Sequence, residues 1–133
     1  MKKVLALFLV LLFSTPVFAA EWREIFEKKY LDISSIERKD DIITFWTKFL
    51  RKDSKELAPG LNKPYWYVIH HWNINCANKK ERIDTLAIYG LKGEVMYSDD
   101  YTPEWNTIIP DTYADGLYSL FCIAPYEENP LLN

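Results

Sequence analysis

Apolar and polar positions alternate with a period of two over most of the chain, and near the end the period changes to that of a helix. Glu21 to Glu27 reads as a first short strand with Trp22 as its apolar anchor, and Tyr30 to Ile33 as a second. Ser34-Ser35 marks a turn or one helical turn, and Asp40-Asp41 ends a charged bend. Residues 42 to 51 are apolar on both parities, with Ile43, Phe45 and Phe49 on one and Ile42, Trp46 and Leu50 on the other. That pattern predicts a strand shielded on both sides along part of its length. Residues 52 to 63 are polar around Pro59-Gly60 and predict a mobile loop. Pro64 to Cys76 then predicts a long strand whose core parity is Trp66, Val68, His70, Trp72, Ile74 and Cys76.

Two turns, at Ala77-Asn78-Lys79 and at Leu91 to Glu94, separate strands at Lys80 to Tyr89 and Val95 to Ser98, which makes an antiparallel meander. Asp99 to Pro110 reads as a loop. Thr112 is a candidate N-cap, with Asp115 as the capping-box acid three residues on. Tyr113, Leu117, Leu120 and Phe121 fall on one helical stripe, which predicts a helix ending at Cys122. Gly116 is the discordant position, since glycine inside a helix costs about 1 kcal/mol relative to alanine. The expected class is α+β, with one helix on one face of an antiparallel sheet.

The first residues change where that domain is expected to work. Lys2-Lys3, the apolar run Val4 to Phe13, and Val17-Phe18-Ala19 have the order of a secretory signal peptide cut after Ala19. The run is shorter than the roughly 20 residues a membrane-spanning helix needs. The organisation is therefore a signal peptide over 1–19, one domain over 20–122 and a C-terminal tail over 123–133. No cysteine lies near the cut, so the expectation is an exported chain without a lipid anchor, in the periplasm, at the cell surface or secreted.

Composition supports an ordered domain. Aromatic residues make up 16% of the chain and there are only 4 Gly. The formal net charge of −3 becomes −5 once the two leader lysines are removed. Such acidity speaks against general nucleic-acid binding and against attraction to anionic membrane. Cys76 and Cys122 are the two cysteines, 46 positions apart. In an oxidising compartment they form one disulfide, worth about 4 kcal/mol on a chain-entropy estimate. The other reading is a redox or metal thiol pair, but the spacing lacks the C-x-x-C form. If the thiols pair, the helix must lie on the sheet face that carries Cys76.

Five stretches follow one another in a distinctive order: Glu21-Trp22, Tyr30 to Ile36 with its Asp32 and Ser34-Ser35, Ile42 to Lys48 with Trp46, Cys76 to Arg82, and Trp105 to Cys122. Together they resemble the surface-adhesin protein E-like family of small exported bacterial proteins. The resemblance runs over residues 21 to 122. It implies a bent antiparallel sheet of about six strands, with a C-terminal helix tethered to it by the disulfide. The founding member of the family is an adhesin for host extracellular-matrix and serum proteins, while many members have no known activity.

Candidate chemistry is sparse. His70 and His71 are adjacent on a strand and point to opposite faces, so they cannot chelate one metal together. His71 could join an acid on a neighbouring strand, such as Asp84. Asp99-Asp100 and Glu127-Glu128 are acidic pairs, but neighbouring carboxylates in loops do not set the separation across a cleft that glycoside hydrolysis needs. No G-x-S-x-G elbow and no phosphate-binding glycine loop occur. The expectation is no enzyme, no cofactor and no metal.

The expected contact residues are Lys79, Lys80 and Arg82 at a hairpin tip, with Tyr65 and Tyr67 on the sheet face away from the helix. They would serve a protein partner, such as a host matrix protein or an envelope component, or a homodimer. The alternative to an adhesin is a periplasmic accessory or small-ligand-binding module of the cell envelope.

Overall fold

The computed structural model describes residues 19–123. The proposed signal peptide (save Ala19), Glu127-Glu128 and the tail beyond Ile123 lie outside the described residues. Eight strands precede the helix: β1 (Trp22–Phe26), β2 (Lys29–Asp32), β3 (Glu37–Lys39), β4 (Ile42–Leu50), β5 (Tyr67–Asn75), β6 (Lys80–Tyr89), β7 (Val95–Asp100) and β8 (Asn106–Thr107). The helix α1 (Tyr113–Tyr118) continues into a wider π turn over Ser119–Ile123.

All eight strands belong to one sheet in the order β1-β2-β4-β5-β6-β7, and the described pairings are antiparallel. The expected count of about six is therefore corrected to eight. The two additional strands share a place with a neighbour. β2 pairs with Thr47 to Phe49 of β4 while β3 pairs with its Ile42 to Thr44. β7 and β8 divide β6 in the same way, at Thr85 to Tyr89 and at Lys80-Glu81. Both β3 and β8 are short, polar and exposed, so they carry no alternation that a pattern could reveal.

Asp32 explains why β2 gives way to β3. Its carboxylate accepts hydrogen bonds from the Ser34 N–H at 3.1 Å and the Ser34 hydroxyl at 2.6 Å, capping a 3-10 turn over Ile33–Ser35. It also accepts from the Glu21 N–H at 2.9 Å, which ties the chain entry to the turn. The Ser35 hydroxyl donates to the Asp32 carbonyl and accepts from the Trp46 N–H, so it joins the turn to β4. The Asp32 and Ser35 side chains thus satisfy backbone groups that the break in pairing exposes, and the Ser34 hydroxyl holds the Asp32 carboxylate in place.

The helix begins as its residues predict. The Thr112 hydroxyl accepts from the Asp115 N–H at 3.2 Å, and the Asp115 carboxylate reaches back to the Asp111 N–H at 3.1 Å. Gly116 is where Phe26 packs: a Cβ there would lie 3.1 Å from the Phe26 ring. Regular α geometry ends at Tyr118 instead of continuing to Cys122. A stripe at 113, 117, 120 and 121 spans barely two turns and cannot distinguish 3.6 residues per turn from a wider one.

The packed core lies under this segment. Leu117 and Phe121 are fully buried against Leu31, Ile43, Phe45 and Ile74, with Phe121 stacked on Phe45 at 4.5 Å between centroids. Trp72 donates its indole N–H to the buried Thr47 hydroxyl at 2.8 Å, so both polar groups are satisfied. Cys76 and Cys122 form the disulfide, with Cα atoms 5.5 Å apart.

A second, smaller cluster of Ala58, Tyr65 and Ile88 joins the far part of the same face to the 52–65 segment. That segment, expected to be mobile, is tied to itself. The Ala58 N–H donates to the Lys63 carbonyl at 2.8 Å, and Leu57 bridges Pro64. The Glu56 carboxylate accepts from the Lys52 N–H at 2.6 Å and from the Tyr65 hydroxyl at 2.7 Å. Between the two clusters a cleft of about 1070 Å³ remains open.

Candidate functional site

The strand register sets which expected residues share a face. β5 begins at Tyr67, three residues later than the expected strand, and the alternation reverses just before it. Tyr65 turns inward and is only 5% exposed, whereas Trp66 is 47% exposed. Two expectations are thereby corrected: Tyr65 does not lie on an open face, and Trp66 does not lie in the core. The Glu56 hydrogen bond and the Leu57 bridge to Pro64 draw this stretch onto the loop instead of along the sheet.

Tyr67 does lie on the face away from the helix, in a row of rings. It stacks on Tyr89 with centroids 4.6 Å apart and meets the Trp66 ring edge-on at 5.1 Å. At the centre of this face is Lys48. Its Nζ lies 4.6 Å from the Trp22 ring centroid, 5.3 Å from that of Tyr30 and 5.4 Å from that of Tyr67. These are cation–π distances, and burial lowers the Lys48 pKa. Sequence reasoning missed Lys48, Trp22, Tyr30 and Tyr89 as one group. Each stands at an alternating position of its own strand, but only the pairing of Tyr30 with Lys48 and of Leu50 with Tyr67 with Tyr89 brings them together.

Beside this row the outer face turns polar. Trp46 lies against the His71 ring at 4.9 Å, and His71 Nδ1 is 2.7 Å from Asp84 Oδ1. Asp84 also accepts from Asn73 Nδ2 at 2.9 Å and from the Thr85 hydroxyl at 3.1 Å. Burial pushes the Asp84 carboxyl up, but the hydrogen bonds from Asn73, His71 and Thr85 outweigh it and hold the carboxyl below its usual value. Among the described residues no hydroxyl or thiol hydrogen-bonds the other ring nitrogen of His71. Nor do three or more metal-ligating residues gather anywhere among the described residues.

His70 faces the helix side, as the alternation predicts. Its ring lies 5.0 Å from Phe49, its Nδ1 is buried without a hydrogen-bond partner, and burial lowers its pKa to about 4. Asp99 and Asp100 fall within β7 instead of in a loop, and Asp99 accepts from the Tyr97 hydroxyl at 3.2 Å.

The basic hairpin tip is already engaged within the chain. Lys79 Nζ pairs with Asp115 Oδ1 at 3.0 Å and lies over the Tyr118 ring. Arg82 places its guanidinium 4.4 Å from the Trp105 ring centroid. Lys80 opens β6 between Asn75 and Thr107. Two of the three expected contact cations thus brace the helix start and the β7–β8 connection, which lowers their availability to a partner.

These features define a small antiparallel-sheet domain, clamped to one short helix by a disulfide and bearing a ring-rich outer face. The chain belongs to the surface-adhesin protein E family, whose sequence model matches residues 22–123. Its fold is similar to that of protein E from non-typeable Haemophilus influenzae, with a TM-score of 0.55 and 17% identity over 80% of this chain and 78% of that one. A second crystal form of Haemophilus influenzae protein E gives a TM-score of 0.56 at 16% identity, over 77% of this chain and 87% of that one. No curated protein matches the chain in sequence. No helix among the described residues is long and apolar enough to cross a membrane. Family membership places the chain among exported or surface proteins.

Proposed function

We propose that this is a non-enzymatic exported binding protein that holds a protein partner against the outer face of its sheet. The observation that carries the reading is the ring row of exposed Trp66 and half-buried Tyr67 and Tyr89 running up to Lys48 on the outer face, in a member of an adhesin family. Aromatic anchors bury large area at little entropic cost and dominate most binding energetics. A host matrix or serum protein is the partner class that the family suggests, and a second copy of the chain would use the same rings. The hairpin-tip cations contribute at most to the rate of encounter, since Lys79 and Arg82 are already paired.

The test is surface binding of the mature protein to a panel of matrix and serum proteins. At least one is expected to bind, and Trp66→Ala with Tyr67→Ala should weaken that binding by tenfold or more. Lys79→Glu should change it by less than threefold. Absence of binding to every member, or full binding by the double variant, contradicts the proposal. Co-purification of the wild type with an envelope complex would favour the accessory reading instead.

A further inference from the structure

The cleft between the two inner clusters is independent of the outer face and has the build of a ligand site. Its floor is apolar. β4, β5 and β6 present Phe49, Val68 and Ile88 in one cross-strand row, with His70 and Leu86 in the next. The β1–β2 turn forms one wall through Phe26, and the 52–65 segment overhangs the other through Pro59 and Leu61. At about 1070 Å³ it lies at the upper end of the range usual for small-molecule pockets.

The mouth of the cleft is charged. Lys28, Lys29 and Lys52 line it beside Glu27 and Glu56. The Lys28 ammonium donates to the Lys52 carbonyl, which brings the turn and the end of β4 together. Both Glu56 carboxylate oxygens already accept hydrogen bonds, from the Lys52 N–H and the Tyr65 hydroxyl. Lys29 has no carboxylate partner among the described residues. Its Nζ lies over the Tyr113 ring at 4.7 Å and the Phe49 ring at 5.5 Å, between the charged rim and the apolar floor. In a chain of net charge −3, three ammonium groups against two carboxylates at one opening is a local reversal of sign. The buried, unpartnered Nδ1 of His70 adds a polar atom on the floor.

We infer that this cleft binds an anionic amphiphile, a long alkyl chain ending in a carboxylate or phosphate. The chain lies along the Phe49, Val68, Leu86 and Ile88 floor, and the head meets Lys29 and Lys52. Apolar floor and basic mouth select for both halves of such a molecule, whereas a neutral or cationic amphiphile satisfies only the first. Transfer of a methylene from water into an apolar site corresponds to about fourfold in affinity.

Isothermal titration and thermal-shift measurements on the mature oxidised protein, with monomeric amphiphiles, test this. Dodecanoate should bind one per chain and raise Tm. Octanoate and dodecyltrimethylammonium should each bind at least tenfold more weakly. Dodecyl phosphate matching dodecanoate would assign recognition to charge, as inferred. Val68→Trp and Leu86→Trp fill the floor and should reduce dodecanoate binding at least tenfold with the far-ultraviolet circular dichroism unchanged. The charge-reversed pair Lys29→Glu, at a half-buried position, with Lys52→Glu, at an exposed one, keeps the test open if the filling variants fold poorly. It should weaken dodecanoate and strengthen dodecyltrimethylammonium. Absence of dodecanoate binding, equal binding of the cationic amphiphile, or binding untouched by either filling or charge reversal overturns the proposal.

Discussion

The two ends of the helix-facing side of the sheet share strands β4, β5 and β6, whose β5–β6 register slips by one residue between His71 and Trp72, and one end is solid while the other is hollow. At the solid end, Leu117 and Phe121 sit at 0% and 1% exposure on Phe45, Ile43 and Ile74, and Cys122 is bonded to Cys76. At the hollow end, the 52–65 segment brings only Ala58, Leu61 and Tyr65 onto Val68, Leu86 and Ile88. The difference lies in the covering element. A helical stripe fills space at close-packed density and is fixed covalently. A loop must satisfy its own backbone groups first, through contacts such as Ala58 to Lys63 and Glu56 to Lys52 and Tyr65, and has few apolar side chains left for the sheet.

Truncation should therefore cost more at one end than at the other. Phe121→Ala is expected to lower stability by about 3–5 kcal/mol, because it opens a cavity in packed core. Leu86→Ala should cost about 1–2 kcal/mol, because it enlarges a cleft that already exists. Denaturant unfolding of both variants checks the contrast, and equal losses would remove it. Cys122→Ser comes next, at about 2–5 kcal/mol. Melts of this variant and of the reduced wild type should fall together, and an unchanged Tm would contradict the tether.

His70 sharpens the comparison through pH. Its folded pKa of about 4 lies below the unfolded value near 6.5, so the unfolded chain binds the proton first. Its contribution is fully present above about pH 6.5 and is lost as pH falls toward 4, by up to about 3 kcal/mol. Unfolding free energies at pH 7 and pH 4.5 should differ less for His70→Gln than for wild type. The same slope in both would mean that the cleft floor admits the charged ring. The smallest effect belongs to Lys79→Ala, which removes a partly exposed pair with Asp115 and should cost less than about 1 kcal/mol.

Much of the solid end was legible in the residues. Alternation over 64 to 76 set the face of Val68, His70, Trp72 and Ile74, and the stripe 113, 117, 120, 121 set the helix that covers it. His71 meeting Asp84 was accessible from the hairpin that joins β5 to β6, although the register slips by one there and leaves Asp84 without a paired residue. The hollow end was not legible. Alternation assumes an unbroken strand, and the contacts of Glu56 and Pro64 with the loop reverse it before Tyr67, exchanging Tyr65 and Trp66. The cleft lies between residues far apart in sequence, such as Lys29, Lys52 and Leu86, and no local period encodes the space left between them. Lys48 was hidden in the same way, because its rings come from β1, β2 and β5. β3 and β8 escaped because three and two polar residues carry no period.

Native-state hydrogen exchange of the oxidised and the reduced protein tests most directly whether a covalently held helix makes the solid end and a self-tied loop the hollow one. Reduction should speed exchange of the α1 amides and of the β4 and β5 amides beneath them, while amides of the 52–65 segment keep their oxidised rates. Unchanged protection of α1 after reduction, or equal acceleration in the loop, would contradict that account.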